Sequence, residues 1–386
     1  MKILFWISFI FLIYVYLGYP LLIAGLARLR RGAKRPKAEL PSISLIIAAY
    51  NEEAVLRGKL ANTLELNYPR EKMEIIVAAD GSTDDTCDIV GEFAPQGVKL
   101  CYSAERRGKL AAMAHAVEGA AGEVLVFSDA NNLFLPCSFQ YLLQPFADER
   151  VGASTGAKHV RSEGDTLSSS EGLYWKYESW IKENESRMHT CTAAAGEILA
   201  VRKTLFPHIP AGVINDDFYI LLAVIRAGYR VAYVPQAESW ERVSQAQQDE
   251  VKRRARITAG RFQALAHSWR WLPWNNPLAI WQIFSHKYFR LFIPFAMLLA
   301  LLSNLALVAA ARLDQMQAGA WAGWMLAAQS VFYALALLGR WMEFRGPLKV
   351  LYLPAFLVSS NLATLLGFFR QIRRNQDVSW ERVNRR

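Results

Sequence analysis

The chain is poor in the residues that announce metal clusters and disulfide frameworks. It has four cysteines in 386 residues, and Cys87, Cys101, Cys137 and Cys191 fall at neither zinc-binding nor redox spacing, so a reduced setting is the default. Three of its histidines, His115, His159 and His189, have no neighbours at metal-ligand spacing. No basic stretch carries the interleaved aromatics of a single-strand binder, which leaves nucleic acid out of the expected partners. A cleaved signal peptide is excluded as well, because the first apolar run is too long and its basic cluster follows it. What the chain does have is apolar and basic. Hydrophobic residues make up 53%, at the high edge for a soluble protein, so membrane spans are expected. The formal net charge is +10, and many basic residues sit beside apolar runs. Anionic headgroups of a lipid bilayer and phosphorylated substrates are the expected partners.

Ile3 to Leu26 is almost continuously apolar and long enough to span. Arg28, Arg30, Arg31, Lys34, Arg35 and Lys37 follow at once, which makes that flank cytoplasmic by the positive-inside rule. Leu291–Ala311, Ala320–Leu338 and Leu348–Phe369 are further runs of spanning length. Between Trp269 and Arg290 aromatics mix with basic residues, as in helices lying at the headgroups. The expected organisation is a span over 1–27, a basic linker over 28–40 and a cytoplasmic α/β domain over 41–266. Interfacial helices over 267–290, a membrane region of three segments over 291–370 and a basic tail over 371–386 complete it. Three full C-terminal spans would place the Arg-rich tail outside, against the charge rule. A re-entrant or broken last segment, containing Pro354 and Ser359-Ser360-Asn361, would return it to the cytoplasm.

The domain alternates short apolar runs with helical stretches. Strands are expected over 43–48, 73–79, 98–102, 122–127, 151–159 and 229–234, and a loop turning into strand over 192–201. Helices are expected over 54–66, capped by Asn51, then up to Gly91 with Ser82 or Thr83 as cap. Further helices are expected over 109–121, 173–185 and 218–227, with a polar loop over 162–170. This alternation implies a mostly parallel sheet with helices on both faces. Chemistry-bearing residues gather at the strand ends, where such sheets bind ligands. Asp129 and Asn131 offer a carboxylate and an amide oxygen two residues apart, suited to one hard cation such as Mg²⁺ or Mn²⁺. A strand closed by an Asx turn would show the same residues. Asp216-Asp217 opens a helix, where acids also serve as caps. Ser244–Leu265 is a helix rich in arginine, including Arg253, Arg254 and Arg256.

In this order the strand ends resemble the family 2 glycosyltransferases, in the membrane-embedded branch that includes hyaluronan, poly-N-acetylglucosamine and cellulose synthases. The resemblance covers roughly Ser42 to Arg261. It implies a GT-A-like, Rossmann-like domain, a nucleotide-sugar donor (UDP-linked) and a cytoplasmic catalytic domain on a bacterial inner membrane. Other polysaccharide-export proteins become expected partners. Ala49-Tyr50-Asn51-Glu52-Glu53 looks like the first-strand motif, with Tyr50 against the base and Glu52 near the ribose. Asp80-Gly81-Ser82-Thr83-Asp84 looks like the second, with Asp80 accepting from the base N–H; Ala79 stands where the family often has another acid. Gly108-Lys109 resembles the helix start that places a lysine near the phosphates, although Ala114 replaces a frequent Asn. Asp129-Ala130-Asn131 matches the metal-binding Asp-x-Asp with Asn for the second Asp, which should weaken the metal site without abolishing it. Asp216-Asp217 stands at the acidic pair whose second member is the general base. The basic helix keeps the arginines of the polymerising members and lacks their Trp, which leaves chain polymerisation open.

The implied chemistry is inverting transfer to a polysaccharide or glycan acceptor. Asp129 and Asn131 would hold the metal, while Asp216, Lys109 and the arginines bind the donor. Asp217 would deprotonate the attacking hydroxyl. Helical spacing puts Arg253 and Arg256 on one face toward the diphosphate and turns Arg254 away. Transfer of one sugar to a lipid-linked acceptor, and a non-catalytic nucleotide-binding scaffold, are the alternatives.

Overall fold

The computed structural model describes residues 1–30, 39–161, 167–242, 247–312, 320–339 and 351–373. The basic-linker residues Arg31, Lys34, Arg35 and Lys37, and the expected tail beyond Arg373, lie outside them.

The strands are β1 (Ile43–Ala49), β2 (Met73–Asp80), β3 (Val98–Ser103), β4 (Val124–Asp129), β5 (Asn132–Phe134), β6 (Val151–Arg161), β7 (Leu199–Arg202) and β8 (Arg230–Arg242). They form one sheet in the order β3-β2-β1-β4-β7-β6-β8-β5. The half from β3 to β4 is parallel, as the alternation predicts. β1 is buried on both faces along its whole length, which is why Ile43 to Ala49 reads as a continuous apolar run. The other half departs from that pattern. β7 runs antiparallel to both β4 and β6, and β5 runs antiparallel to β8, so the sheet is mixed. β8 is also longer than 229–234. Its pairing with β6 slips between Val234 and Glu238, where Pro235 drops out of the ladder, and then resumes to Arg242. This continuation sets Glu241 opposite Asn132 and within reach of Asn131.

Helices cover both faces. Glu53–Leu64, Thr86–Glu92 and Ser138–Leu143 belong to one side, and Lys109–Gly119 and Asp216–Arg226 to the other. Asn51 does not cap the first of these. It sits at φ 52° and its Oδ1 accepts from the Thr83 N–H at 2.8 Å, tying the β1 and β2 end loops together. Asp84, not Ser82 or Thr83, serves the start of Thr86–Glu92, accepting from the Thr86 N–H at 3.1 Å. Part of the expected polar loop is helix, Leu167–Met188.

Among the described residues four helices are long and apolar enough to cross a membrane: Lys2–Leu29, Pro277–Arg312, Trp321–Leu338 and Leu353–Ile372. Trp281 to Arg290, expected as interfacial helix, is continuous with the second of these. Ser285, His286 and Tyr288 are buried there against the α/β domain. The last helix is unbroken, with Pro354 in its first turn, where no backbone donor is needed. It lies along the basic helix, Gln247–His267. Gly367 permits the approach, since a Cβ there would meet the Ala255 carbonyl oxygen at 2.7 Å. Phe368 then packs on Phe262 and Phe295, each with ring centroids 5.1 Å apart.

Candidate active site

One cavity of about 1260 Å³ opens between the strand ends, the basic helix and the apolar helices. Glu52, Lys109, Asp129, Asn131, Asp216, Asp217, Arg253, Arg254 and Arg256 all line it. Tyr50 and Asp80 do not. The Tyr50 ring is covered by the Arg106 guanidinium, 3.8 Å from its centroid.

Asp80, expected to accept from the base N–H, is engaged with the backbone of a neighbouring loop. Its buried carboxylate already accepts two backbone N–H groups, from Arg107 at 2.8 Å and Gly108 at 2.7 Å. Asp80 therefore holds the loop that leads into Lys109–Gly119. Gly108 adopts φ 92°, a conformation that favours glycine, to turn its N–H toward that carboxylate. Lys109 is launched from this turn and donates to Asp129 Oδ1 at 2.5 Å. Burial pushes the Lys109 ammonium down, but Asp129 and then Asp216 more than reverse this and hold it above its ordinary value. Burial likewise raises Asp129, and Lys109 overcomes it, leaving the carboxylate ionised below the usual range.

Asn131 donates from Nδ2 to Glu241 Oε1 at 3.0 Å. Glu241 in turn is paired with Lys158, whose Nζ is also 2.8 Å from Glu197. Among the described residues no three His, Cys, Asp or Glu side chains form a ready metal cage. The donor set still fits Mg²⁺ or Mn²⁺. Asp129 and Asn131 offer a carboxylate and an amide on one wall, and such ions are commonly completed by substrate phosphates and water.

Asp217 lies in the first turn of the helix Asp216–Arg226, whose apolar face is deep in the core. Burial and then the charge of Asp216 push its carboxyl up to about 6. A carboxylate poised there accepts a proton near neutral pH and is suited to general-base work. Arg254 donates to Ser360 Oγ at 3.0 Å and its guanidinium lies 5.1 Å from the Phe356 ring centroid, so it is turned toward the last helix.

Several cavity residues were not anticipated from the sequence. Lys158 falls in an otherwise small and apolar strand, and a lysine inside such a run is itself a signal. Lys59 lies behind the wall, fully buried. It donates to Ser128 Oγ and the Asn132 carbonyl, each at 2.7 Å, and so fastens the Asp129–Asn131 turn to a helix. Its signal is position: it shares the Leu56, Leu60 and Thr63 face. Glu178, Lys287 and Arg290 have no local sequence signal. Arg290 pairs with Glu178, and His286 bridges Glu178 at 3.2 Å and Glu185 at 2.9 Å.

A mixed sheet with acidic strand ends over a cavity, and an acidic helix start facing them, is the layout of a GT-A-like sugar transferase. The family described as glycosyltransferase like family 2 matches residues 41–260, more than half of the chain, and the chain belongs to it. It is 28% identical over 225 residues to the probable glycosyltransferase YdaM of Bacillus subtilis (strain 168), covering 53% of this chain and 51% of that protein. It is 25% identical over 233 residues to the poly-beta-1,6-N-acetyl-D-glucosamine synthase of Staphylococcus aureus (strain COL), covering 59% of this chain and 56% of that protein. The matched region thus spans about half the length of these relatives. Among solved structures the chain is similar to the mannosyltransferase PcManGT from Pyrobaculum calidifontis, in complex with GDP-Man and Mn²⁺. The TM-score is 0.73 at 23% identity, over 97% of this chain and 100% of that one. That likeness bears on the fold.

Proposed function

We propose that this protein is a membrane-bound, inverting hexosyltransferase that moves a sugar from a nucleotide-sugar donor to a glycan hydroxyl. The observation that carries this is Asp217: a half-buried carboxylate raised to about 6, in the same cavity as Asp129, Asn131 and Lys109. Asp217 takes the proton of the acceptor hydroxyl as its oxygen attacks the anomeric carbon and the nucleoside diphosphate departs from the opposite face. Lys109, with Arg253 and Arg256, faces the charge that grows on the departing diphosphate. Asp129 and Asn131 would hold Mg²⁺ or Mn²⁺, which supplies further neutralisation of that charge when bound. Asp216 and Glu52 line the donor's side of the cavity, and the Tyr50–Arg106 stack lies beside it. The PcManGT complex with GDP-Man and Mn²⁺ supports a nucleotide-sugar donor and a divalent ion for this fold. The poly-N-acetylglucosamine synthase relatives support a surface polysaccharide as product.

The packing of the last helix on the basic helix supports a topology with three crossings. The segments Lys2–Leu29, Pro277–Arg312 and Trp321–Leu338 cross, and Leu353–Ile372 lies at the interface beside the catalytic domain. The domain and the basic tail are then both cytoplasmic, which satisfies the charge rule. Purified protein in nanodiscs, given a panel of radiolabelled nucleotide sugars with Mg²⁺ or Mn²⁺, tests the function; the size of the product separates polymerisation from single addition. No turnover with any nucleotide sugar would leave the non-catalytic scaffold.

A second function, transfer of one sugar to a lipid-linked acceptor, is favoured by one observation. Tyr16, Leu17, Leu353, Phe356 and Leu357, from the first and last helices, form an apolar wall of the same cavity.

A further inference from the structure

Two consecutive asparagines lie where β4 turns into β5, and a buried charge fixes the amide of each. The two charges are of opposite sign. Asn132 accepts on Oδ1 from the Lys59 ammonium at 3.2 Å, and its Nδ2 donates to Ser239 Oγ at 2.8 Å. Asn131 is held the other way round. Its Nδ2 donates to Glu241 Oε1 at 3.0 Å, and among the described residues its Oδ1 takes no hydrogen bond. Glu241 is itself held from behind. Its other oxygen, Oε2, is paired with the Lys158 ammonium, which also lies 2.8 Å from Glu197. Lys158, Glu197 and Glu241 are all buried, so water competes little for these contacts.

The donors and acceptors set the polarity of this relay. An ammonium only donates, and the carboxylate paired with it only accepts. Glu241 therefore takes a donor on each oxygen, Lys158 on one and Asn131 on the other. One orientation of the Asn131 amide satisfies it. That orientation turns the carbonyl oxygen away from Glu241 and leaves it for a cation. The distinction matters at a metal wall, because the oxygen of an asparagine is a ligand for a hard ion and its NH₂ is not.

We propose that Glu241, itself oriented by Lys158, is a positioning residue that sets the Asn131 amide so that its oxygen serves the divalent ion. This rests on the reading of Asp129 and Asn131 as the metal wall, and it adds the reason an asparagine can stand there. Glu241→Gln keeps the shape and reverses the relay. The glutamine oxygen is drawn to Lys158, its NH₂ then faces Asn131, and Asn131 gives its oxygen to that NH₂ instead of to the ion.

The test is Mn²⁺ binding without turnover, read by electron paramagnetic resonance. It uses the full chain in neutral-lipid nanodiscs, with UDP or GDP present. Glu241→Gln is expected to weaken Mn²⁺ binding roughly tenfold, with metal-free nucleotide affinity held within about twofold of the parent. Loss of the Glu241 charge would also weaken a cation, and a second background separates the two causes. In Asn131→Asp both side-chain oxygens are ligands and no reversal is possible, so adding Glu241→Gln should cost about threefold or less. A pure charge effect acts in both backgrounds. Equal losses in the two backgrounds would overturn the relay and leave Glu241 as a source of charge only. Unchanged Mn²⁺ affinity in Glu241→Gln would overturn it too. A matching loss of metal-free nucleotide affinity would give Glu241 to the shape of the pocket, against the proposal. Absence of Mn²⁺ binding by the parent would overturn the metal wall along with the relay, and so differs from failure of the relay alone.

Discussion

At the strand ends the cavity is rich in carboxylates: Glu52, Asp129, Glu197, Glu241 and Asp216 face Lys109, Lys158 and Arg253. At the apolar wall Arg254, Arg261, Lys287 and Arg290 face Glu178. Asp217 lines the same cavity and feels the charges of both Asp216 and Lys287. The first end is suited to a metal-bound diphosphate, because its carboxylates can share a divalent ion. The second, with Glu178 among these cations, holds no such set of carboxylates among the described residues. A transferase must hold a donor and an acceptor at once and must not exchange them. Opposite charge balance at the two ends of one cavity is a physical means of telling them apart.

The largest effect should come from Asp217. Asp217→Asn is expected to lower turnover by about 10²–10⁴ while nucleotide affinity, measured by calorimetry, stays near the parent value. Turnover within threefold of the parent would remove Asp217 from the chemistry. At the donor end, Asp129→Ala should abolish the dependence on added metal together with most activity, and it leaves Lys109 without its partner. Asn131→Asp should keep activity and tighten the metal, read as a lower Mn²⁺ concentration for half-maximal rate. Full activity after exhaustive chelation would remove the metal from this end.

The pH profile is the next test. A base raised to about 6 is protonated below that value, so the rate should fall about tenfold per pH unit on the acid side and level off above it. Asp216→Asn removes the repulsion that helps raise Asp217, so the acid limb should move to lower pH. A limb that stays in place would assign the shift to burial alone. The smallest effects should separate the arginines. Arg253→Lys and Arg256→Lys should each raise the donor KM roughly three- to tenfold through loss of the planar fork. Arg254→Lys, whose parent side chain is turned to Ser360 and Phe356, should act less on the donor. A loss confined to Arg254→Lys would reverse the face of the basic helix.

The parallel half of the sheet was legible because β1, β2 and β4 are apolar on both faces and end in turn chemistry. The mixed half was less so. β7 is only four residues long, and Pro235 made β8 look finished before it was. Asp129, Asn131 and Asp217 could be named because each stands at an element boundary beside a hydrophobic run. The loop contacts of Asp80 were not legible, because a strand-end carboxylate can serve a ligand, a loop or both. The two backbone N–H groups that it binds come from 27 and 28 residues away.

Local pattern determined the α/β class, the four long apolar helices, the acidic strand ends and the helix start at Asp216, since these depend on neighbours within a few residues. Tertiary structure alone decided which partner each charge meets. Glu241 reaches Asn131 across 110 residues, Arg290 reaches Glu178 across 112, and Arg254 reaches Ser360 across 106. Charge pairing depends on distances of a few ångströms in space and has no period along the chain. The sequence could therefore supply both sets of charges, and only the folding of the apolar helices onto the domain could sort them to opposite ends of one cavity.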